Sequence, residues 1–124
     1  EMMSFIPPGK SAMDPDVNKN IPEHLRPKKG FPNSYARLLG TKPSPTITRN
    51  FTTPSSANCI HPNQNRALSI REGARCQSFP DAFVFAGSIE EKRLQIGNAV
   101  PPLLGKAVGE ALLNSIFDTQ DEHE

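Results

Sequence analysis

Three groups of residues in this sequence carry side chains able to do chemistry, and each is weighed by what that chemistry requires. Cys59-Ile-His61 and Cys76 bring two thiols and an imidazole. A structural zinc site takes four ligands in spaced pairs, and a third thiol and a second nearby imidazole are missing, so no metal site is expected. A Cys/His nucleophilic pair is unsupported too, because Cys76 falls in a short helical segment where a small buried apolar side chain is the ordinary role. The run Gln95-Ile-Gly-Asn-Ala-Val-Pro-Pro102 sets a glycine and an asparagine before a helix start, where free amides and a positive dipole end suit a carboxylate or phosphate. The same run also reads as a plain turn with Asn98 capping orphan amides, the commoner use of such a residue. Finally, between Glu23 and Arg75 nine Lys and Arg residues face two acids, while from Cys76 onward three bases face eight acids. The basic stretch suits a polyanion, although a solvated surface accounts for such a balance more often.

The elements that must hold these groups are short. The chain has 124 residues, 35% of them hydrophobic, with 13 prolines and 8 glycines. That much Pro and Gly excludes long uninterrupted helices over most of it, and the length allows at most one small domain. Nine prolines fall in the first 60 residues, whereas the periodic apolar pattern lies between Leu68 and Phe117, so the front half is expected to fold poorly alone. Residues 1–34 read as irregular, because each proline fixes its own φ and pushes its predecessor toward an extended conformation. Residues 35–39 and 46–51, rich in β-branched and aromatic side chains and bounded by Gly40, Pro43, Pro45 and Pro54, predict strands. Ser69-Ile-Arg-Glu72 is a capping box that predicts a helix from residue 70 to about 78.

Pro101 suits a helical first turn, and Leu104, Ala107, Val108, Ala111, Leu112, Ser115 and Ile116 then follow the spacing of one buried face, predicting a helix that ends near Phe117. Gly105-Lys-Ala-Val-Gly109 marks close packing against another backbone, a partner not obvious in this chain. No stretch approaches the ~20 apolar residues of a membrane span, and the front end lacks the order of a signal peptide. Two cysteines are too few for a disulfide scaffold and are compatible with a reducing compartment, so a cytoplasmic or nucleoid-associated location is expected.

In combination the segments are more specific than any one of them. His61-Pro62, then Arg66-Ala-Leu-Ser-Ile-Arg-Glu-Gly-Ala-Arg-Cys-Gln-Ser-Phe-Pro-Asp81, then Phe83 and Phe85, then Arg93-Leu-Gln-Ile-Gly-Asn-Ala-Val-Pro-Pro102 closely resembles the ninth and tenth motifs of the cytosine-5 DNA methyltransferases in order, spacing and identity. Tyr35-Ala-Arg-Leu and Pro45-Thr-Ile-Thr48 are similar to the end of that family's target recognition region. The family's Phe-x-Gly-x-Gly cofactor motif, Pro-Cys nucleophile loop, Glu-Asn-Val acid motif and Gln-x-Arg-x-Arg element do not occur in the sequence. Cys76-Gln77 echoes the nucleophile loop, but Arg75 stands where proline should, so no catalytic residue is assigned. Carbon 5 of cytosine is not nucleophilic until a thiolate adds to carbon 6, and the target base must first be flipped from the duplex. A chain without that thiolate is expected to be inert alone.

The resemblance implies an α+β architecture: an irregular, β-rich partial target recognition domain (1–65), a ninth-motif segment supporting it (66–92), a tenth-motif turn and helix (93–118) and an acidic tail (119–124). The final helix would pack on a Rossmann-like catalytic domain that is missing or on a separate chain. Asn98, Ala99 and Val100 would approach the methionine end of S-adenosylmethionine, which raises the anion-binding use of their turn above the plain cap. Arg37 would read a guanine edge or hold a phosphate, Thr46 and Thr48 would hold phosphates near the flipped nucleotide, and Arg49 is a further DNA contact. Arg66, Arg71, Glu72 and Arg75 are expected to organise the recognition domain rather than read bases. The implied partners are double-stranded DNA and a catalytic domain or large subunit bearing the other motifs. Met2 fits a natural small subunit and Glu1 an excised fragment, with a non-catalytic DNA-binding module as the competing class.

Overall fold

The computed structural model of the protein describes residues 1–118, so the expected acidic tail at 119–124 lies outside the described residues. The fold mixes helices with one small parallel sheet, in keeping with the α+β expectation. Strand β1 (Ala36–Arg37) pairs with β2 (Asn58–Ile60), and an antiparallel bridge from Ile60 to Ala67 extends the layer. The strand expected over 35–39 thus shrinks to two residues.

Residues 46–51 form no strand. Ile47 and Phe51 are buried while Thr46, Thr48, Arg49 and Asn50 are exposed, so burial does not alternate as it would along a strand, and the backbone meets no ladder partner among the described residues. β-branched residues favour a pleated, half-buried surface, and here they line an extended loop instead.

Two apolar clusters flank the strand pair. Leu38, Ile47, Phe51, Cys59, Leu68, Ala74, Phe85 and Ile96 form the larger. The smaller joins Ile60 to Ile6, Ala12, Val17 and Ile21 of the front segment. That segment holds only single 3-10 turns at Met2–Phe5 and Glu23–Leu25 and the one-turn helix α1 (Pro15–Asn18), yet it is fastened along β1. Gly9 donates to the Arg37 carbonyl, the Arg37 amide donates to Lys10, and the Ser11 hydroxyl donates to the Ser34 carbonyl at 2.6 Å.

Helix α2 (Ile70–Cys76) starts with the expected box: the Glu72 amide donates to Ser69 Oγ and the Ser69 amide donates to Glu72 Oε2 at 2.8 Å. It ends two residues earlier than expected, where Gln77 caps it and Ser78 turns left-handed at φ 61°. Gly73 is required by packing, because a Cβ there would fall within 3.0 Å of the Phe51 ring. Helix α3 (Ile89–Asn98) was not expected at all, although Ser88 and Glu91 form a second capping box. Helix α4 (Pro102–Asp118) follows the expected helix closely, with Pro101 just ahead of it.

The charges around α2 organise the fold as expected. Arg66 grips Glu72 through two 2.7 Å bonds, and Arg75 grips Asp81 at 2.7 and 2.8 Å. Arg66 first, then the Ser69 amide, hold the Glu72 carboxyl down at about 2 against an ordinary 4.5. A carboxyl depressed on folding stabilises the fold above its unfolded value, and that contribution is lost as pH falls from 4.5 toward 2. Between about pH 5 and pH 2, thermal melting of the wild type is expected to drop more steeply than that of Glu72→Gln. Parallel melting curves across that window would contradict the role given to Glu72.

Candidate functional site

A tight backbone junction lies where the end of α3 meets the loop after residue 45. Gly97 packs directly on backbone: a Cβ there would sit 2.7 Å from the Thr48 carbonyl carbon and closer still to the Arg49 N and Cα. Only glycine lets the two chains approach so closely. The buried Gln77 side chain donates to the Ile96 carbonyl at 2.9 Å, tying the end of α2 to α3, and the Leu103 amide donates to Ser78 Oγ at 3.1 Å, tying α2 to α4. Beside this junction opens a cleft of about 400 Å³ whose walls include Thr46, Ile47, Cys76, Gln77, Gly97 and Ala99.

The cleft therefore brings Thr46 of the first expected set beside Ala99 of the second, with Thr48 and Arg49 against Gly97 at its edge. Ile47, buried between two exposed threonines, fixes the strip from below. Short hydroxyls on a strip pinned this way suit hydrogen bonding to phosphate oxygens. Arg49 is exposed and has no ion-pair or hydrogen-bond partner for its side chain among the described residues.

The tenth-motif turn is built differently from expectation. Gly97 and Asn98 are not the approach to a helix start but the last residues of α3, the negative end of its dipole. The next helix opens with Pro101 and Pro102, which carry no amide hydrogen, and the Leu103 amide is taken by Ser78. The start of α4 therefore keeps little beyond the Leu104 amide to offer an anion, and Asn98, four residues before the helix, does not cap it. Asn98 is exposed and its carboxamide has no hydrogen-bond partner among the described residues, Ala99 is half-buried, and Val100 is exposed.

Arg37 departs most from expectation. Its side chain is 7% exposed. All five N–H groups are used: Nε donates to Ile6 O, Nη1 to His61 O and Gln64 O, and Nη2 to Met3 O and Asn65 Oδ1, at 2.5–2.8 Å. A guanidinium so engaged has no free edge for a guanine or a phosphate. It clamps the front segment and the loop after β2 onto β1, and it leaves the DNA-facing set.

The cysteines are both free. Cys59 is buried, which pushes its thiol up to about 12 and makes it inert. Cys76, expected to be buried, is exposed at the cleft, because α2 ends there and its last turn faces outward. Gln77 and Ser78 are positioning residues that sequence reasoning missed: both act through contacts at least 19 residues away, for which the local pattern holds no signal.

Helix α4 leaves this junction with its apolar residues uncovered. Leu103, Leu104, Val108, Leu112, Leu113, Ile116 and Phe117 are 52–69% exposed, and a Cβ on Gly109 would meet nothing within 4 Å. No helix among the described residues is long and apolar enough to cross a membrane.

Comparison with known proteins places these features. Residues 10–114 match the sequence profile of C-5 cytosine-specific DNA methylases. The type II methyltransferase M1.HphI of Haemophilus parahaemolyticus is 44% identical over 113 residues, covering 91% of this chain and 27% of its own length. M.AgeI of Thalassovita gelatinovora, also a type II methyltransferase, is 46% identical over 84 residues, covering 68% of this chain and 19% of its own. The DNA (cytosine-5)-methyltransferase 3 of Arabidopsis thaliana is 40% identical over 105 residues, covering 81% of this chain and 8% of its own. The chain thus spans about a quarter or less of the length of these relatives. With the profile running from the front segment through most of α4, the chain belongs to the C-5 cytosine-specific DNA methylase family.

Proposed function

We propose that this chain is the C-terminal portion, or the small subunit, of a DNA (cytosine-5-)-methyltransferase. It grips double-stranded DNA and completes an S-adenosylmethionine pocket, while the catalytic cysteine sits on a catalytic domain or large subunit. The observation that carries this reading is the uncovered face of α4. Seven large apolar side chains on one 17-residue helix are each more than half exposed, and exposed patches of that kind mark docking sites. The sequence holds no Pro-Cys dipeptide, so the reactive thiolate must come from elsewhere.

Ala99 at the cleft and its chain neighbours Asn98 and Val100 fit one wall of a donor pocket. Bound S-adenosylmethionine would supply an electrophilic sulfonium methyl. The free Asn98 carboxamide offers both a donor and an acceptor to an amino acid's charged ends, and Ala99 and Val100 present apolar contact beside it. Thr46, Thr48 and Arg49 face outward to hold backbone phosphates, which fixes register without reading sequence. A protein working on chromosomal DNA in this way would reside in the bacterial cytoplasm or on the nucleoid.

The test is to mix the chain with a candidate large subunit bearing the Pro-Cys loop and to follow labelled methyl transfer to cytosine. Activity is expected only in the mixture. Changing Leu104 and Leu112 together to aspartate is expected to weaken association about 100-fold, from the lost burial of two leucines at ~1.5 kcal/mol each, while the chain keeps its helical content. Methylation by the chain alone would overturn the proposal. Salt-sensitive DNA binding with no gain of activity in the mixture would make it a binding module instead.

A further inference from the structure

Helix α3 carries a second cation along the strip that holds Thr48. Arg93 lies four residues, or about one turn, before Gly97 on the same face of the helix. Its Nη1 donates to Thr52 Oγ1 at 3.1 Å, so residues 48–52 run back along α3 from Gly97 to Arg93. Among the described residues the buried Arg93 Nε has no partner and Nη2 makes only a long 3.3 Å contact to Glu90, whose side chain is 70% exposed. Between the two arginines opens a cleft of about 280 Å³ lined by Arg49, Asn50, Glu90, Arg93 and Leu94.

The electrostatics of this cleft are unbalanced. Two guanidiniums face one solvent-exposed carboxylate, and that carboxylate is held by a single contact at the limit of hydrogen-bond range. Arg49 has no partner among the described residues, and the Asn50 amide adds neutral donors. A planar guanidinium pre-positioned by Thr52 loses little freedom when it takes an oxyanion, and Glu90 can swing into water as it does so.

We propose that Arg93, with Arg49 and Asn50, forms a second phosphate grip that takes a phosphodiester group of duplex DNA one helical turn from the Thr48 contact, with Glu90 as a counter-ion that the phosphate displaces. The inference rests on the DNA-binding reading above and adds a site, a charge partner and a sign to it. Arg93 and Glu90 lie on α3, outside the residues proposed to face the methyl donor.

The test is fluorescence anisotropy of the 124-residue chain on a labelled duplex across a salt series. Arg93→Gln is expected to weaken binding about 10-fold and to reduce the slope of log affinity against log salt by about one. Glu90→Gln is expected to do the reverse, tightening binding several-fold, which no misfolded variant would do. Lys106→Gln, on α4, removes the same charge elsewhere and is expected to leave the slope unchanged. If the wild type binds with a steep salt slope and neither Arg93→Gln nor Glu90→Gln moves it, the second grip is wrong and the DNA-binding reading stands. If the wild type shows no salt-sensitive binding, both fall.

Discussion

Replacing Arg37 with methionine is expected to destabilise the fold by about 3 kcal/mol, because five charge-assisted hydrogen bonds are lost and the buried Ile6 carbonyl is left without a donor. The side chain joins the front segment to the loop after β2. Its Nε bond to Ile6 is fully buried, and its other four bonds reach the carbonyls of Met3, His61 and Gln64 and the Asn65 amide oxygen. Methionine keeps the apolar stem and strands all five acceptors. Those nearer the surface recover water, but the Ile6 carbonyl cannot, so the loss is concentrated there. Arg37→Lys is expected to recover only the smaller part, because three donors on one nitrogen cannot span a fork that meets five oxygens in different directions. Set against a total stability of about 5 to 15 kcal/mol for a domain, the methionine variant should lose a large part of its stability or release its front segment. Urea denaturation followed by circular dichroism reads the effect, and a methionine variant within 1 kcal/mol of wild type would remove Arg37 from the centre of the fold.

The same residue shows where the sequence stopped being legible. An arginine in a basic stretch between two extended segments looks like a DNA contact, and nothing nearby in the chain says otherwise. Its five acceptors lie 24 to 34 positions away. Local signals, by contrast, survived folding. The Ser69 and Glu72 capping box starts α2 where it was expected, because both partners lie within one turn. The apolar period of α4 is likewise a property of the helix alone. Helix α3 carries an equally clear box at Ser88 and Glu91, yet only Ile96 on it is fully buried, so no apolar stripe announced it. The loop at 46–51 misled in the opposite direction: strand-forming residue types are there, but burial recurs only at Ile47 and Phe51, four positions apart, and the neighbour needed to make a strand is absent among the described residues. Family resemblance supplied the strip at Thr46 and Thr48 and the turn at Asn98 to Val100, but that Thr46 and Ala99 share a cleft and that the strip meets Gly97 are tertiary facts that no spacing encodes.

Gly97→Ala is the sharpest probe of that meeting. In an isolated helix the change would stabilise by up to about 1 kcal/mol, since glycine is the poorest helix former after proline. Here the added methyl would fall within 3.0 Å of three backbone atoms of Thr48 and Arg49, and backbone cannot rotate out of the way as a side-chain tip can. Overpacking of this kind costs typically 1 to 3 kcal/mol, and a backbone obstacle places the cost at the upper end, so a net loss of about 2 kcal/mol is expected. The loss has a direction as well as a size. Either α3 moves away from the strip, which breaks the 2.9 Å bond from Gln77 to the Ile96 carbonyl and the 3.1 Å bond from Arg93 to Thr52, or the strip moves and lifts Ile47 from the larger cluster. Both routes separate the threonines from Ala99 across the cleft. If the chain completes a methyltransferase, the variant should lose DNA affinity and methyl transfer together in the mixed enzyme, whereas Asn98→Ala, which leaves the junction closed, should weaken donor binding and spare DNA affinity. A Gly97→Ala variant as stable as wild type, or one that loses only one of the two functions, would mean that the strip and the turn are not mechanically joined at this glycine.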